Sequence, residues 1–324
     1  MIEDGESGRT AMSVTLGVSY SMRNWKTCLV ENGQVLEFHS FVDPGALRTY
    51  LEHTCTLYPE PTIVVSTDLE TPFTSLVNIS RTCLEDMILK RYIAEQKDPL
   101  LEILIAIGYS NINSYFAPSV RYLPSMPQYR LLMRESPGTS NHVCAVASLL
   151  SQLRSQEATW SEMNFLCLEV NANFRSILVV EEGHIVNGMS SSMTMSEEQF
   201  QQAYEQAFWE GLTQELAGLI AIHHLDDIVV SGQRKDAFIE RFADSYQVYH
   251  FPYIQPDFEG FEAAAGAAAI AEGLFGHSIF TEIVERLQIR EADGGLKDEA
   301  GIVPVKDTMP DNNAVGDFSS VTNM

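Results

Sequence analysis

The sequence holds little positive charge: 20 Lys and Arg stand against 44 Asp and Glu over 324 residues, a formal net charge of −24. Such a chain repels phosphate backbones and anionic bilayers, so neither nucleic acid nor a membrane surface is an expected partner. An anionic nucleotide would need local help from backbone N–H groups, a helix N-terminus or Mg²⁺. Cysteine is scarce and unpatterned. Cys28, Cys55, Cys83, Cys144 and Cys167 are odd in number and form no CxxC pair, which argues against a disulfide framework and against zinc spacing. Buried thiols in a reducing cytoplasm are the expectation. No stretch approaches the roughly 18 consecutive apolar residues of a membrane span. The first ten residues lack the apolar run of a signal peptide. The GxSxG, GxxxxGK[ST] and HExxH patterns are also missing, which removes the reactions those motifs carry.

What is present is a hydrophobic fraction of 45% with 20% charged residues, the balance of a globular protein with a large core. The length suits two domains, or two lobes around a cleft. The most unusual stretch runs from Phe258 to Gly276, where Ala and Gly dominate between Ala263 and Ala271. Alanine is the best helix former, so this is a helix despite Gly266, which costs about 1 kcal/mol there. A helix face stripped to Ala and Gly suits tight packing against another backbone, the commoner use, or the close approach of a flat ligand. About 30 residues earlier, Asp227–Gly232 reads as a buried strand ending in a Ser-Gly turn.

In chain order, residues 1–11 form a polar lead expected to be disordered. Ser13–Met22 and Lys26–Phe41 then give three strands, with Asn32-Gly33 as a hairpin turn. Leu47–Tyr58 has helical spacing, and Thr62–Ser66 is a short buried strand. Leu84–Glu95 and Pro99–Gly108 carry helical signal, and Asn111–Tyr129 reads as a connecting or cleft-lining loop. The turn cluster Arg134–His142 runs into a helix over Val143–Gln156, whose start suits an anion. Asn164–Gly188 then repeats the layout of Val14–Phe38, so the chain contains two copies of one three-stranded unit. A long helix over Ser196–Ile222, the strand at Ile228, the helix Lys235–Phe242 and the Ala/Gly helix follow. The expected organisation is an N-terminal lobe over 12–142, a C-terminal lobe over 143–290, and a disordered tail over 291–324.

Two β-β-β-α-β lobes suggest a nucleotide held between them, its phosphates at the two first-hairpin turns. Three motifs carry a resemblance. Ala263-Ala-Ala-Gly-Ala-Ala-Ala-Ile-Ala-Glu-Gly273 is similar to an A-A-x-G-A-A-x-I-A-x-G adenosine motif. Leu168-Glu-Val-Asn171, with Glu182-Gly-His-Ile-Val-Asn-Gly188, is similar to a second phosphate unit ending in G-x-I-V-D-G. Ser136-Pro-Gly-Thr-Ser-Asn-His142 is similar to a D-x-G-T-A-D-K loop. On these the chain resembles the acetate and sugar kinase, heat-shock chaperone and actin superfamily, and within it the archaeal-type predicted butyrate kinases. The resemblance implies an α/β fold of duplicated ribonuclease H-like (actin-like ATPase) domains around an interlobe cleft. It implies ATP and Mg²⁺ as cofactors, a small carboxylate as acceptor and a possible homodimer. Four charged motif positions are neutral here: Ser19, Ser136, Asn141 and Asn187 stand where the motifs carry Asp. His142 stands where the loop carries Lys.

By that resemblance Glu169 and Ser19 are the catalytic residues, with Glu169 also the metal ligand. Ser21 and Asn171 face the phosphates, Gly138 and Thr139 the acceptor side, and Ser231, Gly232, Gly266 and Ala267 the adenosine. The alternative function is a lapsed phosphotransferase acting as a nucleotide sensor or interaction scaffold. Arg175 suits a phosphate or, on an edge hairpin, solvent. His223, His224, Asp226 and Asp227 read better as a helix end with an acidic turn than as a metal cluster, because neighbouring helical residues diverge. His142, as a residue at a helix start, is expected to be exposed or to replace the Lys near a phosphate. Trp25, Trp160 and Trp209 are expected in cores or lobe interfaces.

Overall fold

The structure, a computed structural model, describes residues 14–21, 24–58, 60–80, 82, 84, 99–110, 112–133, 136–192, 201–275 and 279–293. The lead over 1–11, most of the helical signal at Leu84–Glu95, and residues 294–324 of the tail lie outside the described residues.

The N-terminal strands β1 (Val14–Ser21), β2 (Asn24–Glu31) and β3 (Gln34–Phe41) form an antiparallel meander. Asn32 and Gly33 turn its second hairpin at φ of 50° and 77°. Two successive residues with φ above zero match the twist of the flanking strands. Helix α1 (Pro44–Leu57) follows, with Asp43 accepting from the N–H groups of Gly45 and Ala46 at its start. Strand β4 (Thr62–Thr67) then pairs parallel to β1. Helix α2 spans Pro99–Tyr109. The stretch read as a loop over Asn111–Tyr129 contains strand β6 (Ser114–Phe116), parallel to β4, and the start of helix α3 (Gln128–Met133). Only three residues of β6 pair with β4, too short a run for an alternation signal. With the two-residue β5 (Thr74–Ser75), the first sheet has the order β3-β2-β1-β4-β6-β5.

Helix α4 (Ser140–Ser155) leads into the second sheet. Here β7 (Phe165–Val170), β8 (Phe174–Glu181) and β9 (His184–Ser192) repeat the meander, with Glu182 and Gly183 turning the hairpin at φ of 48° and 79°. After α5 (Gln201–His223), β10 (Asp227–Ser231) pairs parallel to β7. After α6 (Lys235–Phe242), β11 (Gln247–His250) pairs parallel to β10. The order β9-β8-β7-β10-β11 is that of β3-β2-β1-β4-β6, with the same strand directions. The protein is therefore a duplicated ribonuclease H-like α/β structure.

Strand alternation assigns the faces. Val14, Leu16, Val18 and Tyr20 enter the outer core of the first sheet with residues of α1 and α2. Leu166, Leu168 and Val170 do the same in the second sheet with residues of α5 and α6. The inward faces meet a central core built from α4, α7 (Glu262–Phe275) and α8 (Ile279–Arg286). Although α7 comes late in the chain, it packs on β1, β2 and β4 of the first sheet as well as on α4.

That packing explains the Ala/Gly composition. A Cβ at Gly17 of β1 would lie 1.9 Å from the Ala264 carbonyl oxygen, and one at Gly266 would lie 1.6 Å from that of Cys144 in α4. The helix is thus clamped between a strand and another helix at backbone distance. Among the described residues, no single helix is long and apolar enough to cross a membrane.

Candidate functional site

The same alternation that builds the inner core also builds the site. On β1 the inward positions are Thr15, Gly17, Ser19 and Ser21. The first two meet α7, Thr15 Oγ1 donating to the Ala268 carbonyl at 3.4 Å. Beyond the start of α7 the strand face is uncovered, and Ser19 and Ser21 line a cleft of about 520 Å³. On β7 the inward series Phe165, Cys167, Glu169 likewise runs out of the core into the cleft, and on β10 Val229 gives way to Ser231. Strand ends from both lobes therefore face one space.

Seven of the ten residues expected at the site line this cleft: Ser19, Ser21, Thr139, Glu169, Asn171, Ser231 and Gly232. Three do not. Gly266 presses on the Cys144 backbone and Ala267 is buried in the central core. Gly138, at φ of 143°, packs against Val120 and Leu178. From α7 it is Glu262 and Ala263, at its first turn, that reach the cleft.

Glu169 is the centre of the hydrogen-bonding. Asn171 Nδ2 donates to its Oε1 at 2.6 Å, and His142 Nε2 lies 3.4 Å from its Oε2. The Thr139 backbone N–H donates to His142 Nδ1 at 2.9 Å, which leaves the proton of the neutral ring on Nε2, toward Glu169. Burial pushes the Glu169 carboxyl up. The hydrogen bond from His142, the Asn171 amide and the Lys26 charge outweigh that and hold it below its ordinary value. Contrary to the expectation of an exposed helix-start residue, His142 is 6% exposed and stacks on Phe174 with ring centroids 5.4 Å apart. The ring is held by Thr139, Phe174 and Glu169, and the residue lines the cleft.

Asn171 also accepts from the Gln233 N–H at 3.0 Å, tying Glu169 to the turn after β10. That turn needs its glycine: Gly232 has φ of 94°, and a Cβ there would lie 2.5 Å from the Val170 carbonyl oxygen. On the N-terminal lobe, Asn141 Nδ2 donates to the Tyr20 carbonyl at 3.0 Å and to Asp68 Oδ1 at 2.9 Å. The Asn141 Oδ1 is buried without a protein partner among the described residues.

Sequence reasoning missed Lys26, Asp68 and Glu262. Lys26 stands opposite Ser19 in the β1–β2 ladder, lines the cleft and donates to the Gly260 carbonyl. The antiparallel register would have found it, since pairing Ser21 with Asn24 puts Lys26 opposite Ser19. Glu262 is held above the ordinary carboxylate range, mainly by burial, with the Glu169 charge acting the same way and hydrogen bonds from its own and the Gly260 N–H opposing. In all, the cleft lining holds four carboxylates, Asp68, Glu169, Glu259 and Glu262, and Lys26. Glu259 is ion-paired with Lys235.

Several other sequence candidates fall elsewhere. Arg175 is 6% exposed and forms a two-pronged ion pair with Glu215 at 2.6 and 2.8 Å. It is committed to the core of its own lobe. The His223 side chain is buried against Glu181 at 2.6 Å and Asn187 at 3.0 Å. Among the described residues, no three His, Cys, Asp or Glu side chains converge as a metal site.

The chain matches the family described as protein of unknown function (DUF1464) over residues 49–199 and 191–298. It belongs to that family. No curated protein matches the chain. Among solved structures, an acetate kinase from Entamoeba histolytica is 8% identical, covering 72% of this chain and 87% of that one with a TM-score of 0.49. An inorganic polyphosphate/ATP-glucomannokinase from Arthrobacter sp. strain KM is 10% identical, covering 80% and 98% with a TM-score of 0.40. An activator of the 2-hydroxyisocaproyl-CoA dehydratase from Clostridium difficile, with bound ADPNP, is 11% identical, covering 84% and 96% with a TM-score of 0.42. Neither an activity nor a site passes to this family member from such distant likenesses. Its fold class rests on the matching strand orders of the two sheets.

Proposed function

We propose that the interlobe cleft binds ATP as its Mg²⁺ complex. The observation carrying this reading is the convergence of Ser19, Ser21, Thr139, Glu169, Asn171, Ser231 and Gly232, from both lobes, on one cleft. Hydroxyl and amide groups there suit phosphate oxygens, and the first turn of α4 adds backbone N–H groups at a helix N-terminus. Lys26 supplies the positive charge opposite Ser19. The Ser231-Gly232 turn and the start of α7 suit the nucleoside.

The residues fit Mg²⁺. This ion is commonly held by one or two carboxylates together with phosphate oxygens and water, so a three-ligand cluster is not required. Glu169 would hold it from the C-terminal lobe and Asp68 from the N-terminal lobe, both lining the cleft. When bound, the ion would neutralise phosphate charge. The motif resemblance extends the reading to phosphoryl transfer onto a small carboxylate, as in a butyrate kinase. The chain's own contribution is to orient the phosphates through Ser19, Ser21 and Lys26 and to exclude water by lobe closure.

Binding without turnover is a second reading, favoured by one observation. Asn141 and His142 replace charged motif residues and are engaged with Asp68 and Glu169. Calorimetry with ATP, with and without Mg²⁺, is the test. Metal-dependent binding with ADP release on adding acetate or butyrate is expected of the phosphotransferase. Metal-dependent binding without turnover is expected of the sensor. Absence of ATP binding in either condition would overturn both.

A further inference from the structure

The first turn of α4 joins the two lobes through adjacent residues. Asn141 reaches the N-terminal lobe, donating to the Tyr20 carbonyl and to Asp68 Oδ1. His142 reaches the C-terminal lobe, its Nε2 3.4 Å from Glu169 Oε2. Successive residues on a helix point about 100° apart, so one rigid turn addresses opposite walls of the cleft. Ser140 fastens the turn to the first sheet: its Oγ accepts from the Thr67 N–H at 2.8 Å and donates to the Thr67 carbonyl at 3.0 Å. On the other side Thr139 and Phe174 hold the His142 ring. Both side chains are about nine-tenths buried, and the unpartnered Asn141 Oδ1 leaves this wall with an unused acceptor. The two residues that look like losses from the D-x-G-T-A-D-K loop thus each hold a cleft carboxylate.

We propose that Asn141 and His142 are positioning residues: they orient Asp68 and Glu169 on facing walls so that one divalent cation, arriving with the nucleotide, is engaged from both lobes. The proposal rests on the nucleotide reading above only for the cation's escort. Its substance, that two neighbouring residues govern cation affinity through the carboxylates they hold, is testable with the metal alone.

The test is Mn²⁺ binding to the full chain, followed by the electron paramagnetic resonance of free Mn²⁺, first alone and then with ATP. Losing the group that orients a metal-bound carboxylate costs about 10–100-fold in metal affinity, and a loss of that size is expected for His142→Gln. Glutamine at this helix position still closes a capping box with Thr139, so the thermal midpoint should hold while Mn²⁺ affinity falls. Asn141→Ser is expected to weaken Mn²⁺ comparably, and the double variant to lose less than the product of the two single losses, because both act on one ion. Wild-type affinity in either single variant would overturn the proposal. So would losses that track a fall in thermal midpoint, or no Mn²⁺ binding by the wild type with or without ATP. Wild-type Mn²⁺ binding that ATP leaves unchanged, together with the expected losses in the variants, would overturn the nucleotide reading and leave the positioning role supported.

Discussion

Replacing Gly266 by alanine should destabilise the protein, although alanine is the better helix former. The new Cβ would lie 1.6 Å from the Cys144 carbonyl oxygen, 2.3 Å from its carbon and 2.9 Å from its Cα. All three are backbone atoms, so no side chain can rotate away. Ordinary contact begins near 3.4 Å, so α4 and α7 must part by about 2 Å through a close-packed core. Overpacking of this kind costs about 1–3 kcal/mol and occasionally more. An immovable backbone puts Gly266 at the upper end, against a propensity gain of about 1 kcal/mol. The net loss is about 2 kcal/mol, or a fall in Tm of about 4–8 °C. Gly218 in α5 is the control, because an added Cβ there has nothing within 4 Å. Gly218→Ala should stabilise by about 0.5–1 kcal/mol. Both are measured by thermal and denaturant unfolding followed by circular dichroism. If Gly266→Ala stabilised as much as Gly218→Ala, the clamp between β1, α7 and α4 would be refuted.

Lys26→Met should weaken ATP binding about tenfold or more, the worth of a hydrogen bond to a charged group, and should flatten its salt dependence in calorimetry. Arg175→Met should cost about 3 kcal/mol in denaturant unfolding by stranding Glu215, with ATP affinity unchanged. Loss of ATP binding there would return Arg175 to the cleft. Two of the three cleft glutamates, Glu262 and Glu169, should show opposite pH signatures. Glu262 titrates above 4.5 in the folded state, so its contribution is full below that value and is lost as pH rises through the folded pKa. Glu262→Gln should therefore raise Tm at pH 7 more than at pH 4. Glu169 titrates below 4.5, so its contribution is present at neutral pH and fades as pH falls through the folded pKa. Glu169→Gln should lower Tm at pH 7 and matter least in acid. Parallel pH curves for the two variants would refute the assignment.

The duplication was legible because each meander carries its own local signals, with Asn32-Gly33 and Glu182-Gly183 at equivalent hairpins and apolar runs between them. Glu169 and Ser231 were legible as strand ends because their inward-facing series stop being apolar where the core ends, whereas Ser19 was legible only through the motif resemblance. The use of the Ala/Gly run was not. Its composition announced a close approach without naming what approaches, and its partners Gly17 and Cys144 are distant in sequence. His142 read as an exposed helix start because a capping position is usually solvated; burial by Phe174 and Glu169 is a tertiary event. The substitutions in the loop at 136–142 read as lost charge. Their compensation, Asn141 with Asp68 and His142 with Glu169, depends on strand ends that only folding brings together.

The docking of α7 on β1 bears on how the chain is made. Thr15 and Ala268, which share a hydrogen bond, are 253 residues apart. At synthesis rates of roughly 5–20 residues per second, β1 emerges from the ribosome roughly 10–50 s before its inner face can be covered. The glycine and hydroxyl side chains that make the seam thin also give that waiting face little apolar surface to offer a neighbouring nascent chain. A fragment ending at the second meander would keep the face permanently bare, so the first half is expected to require its own C-terminal helix in order to mature.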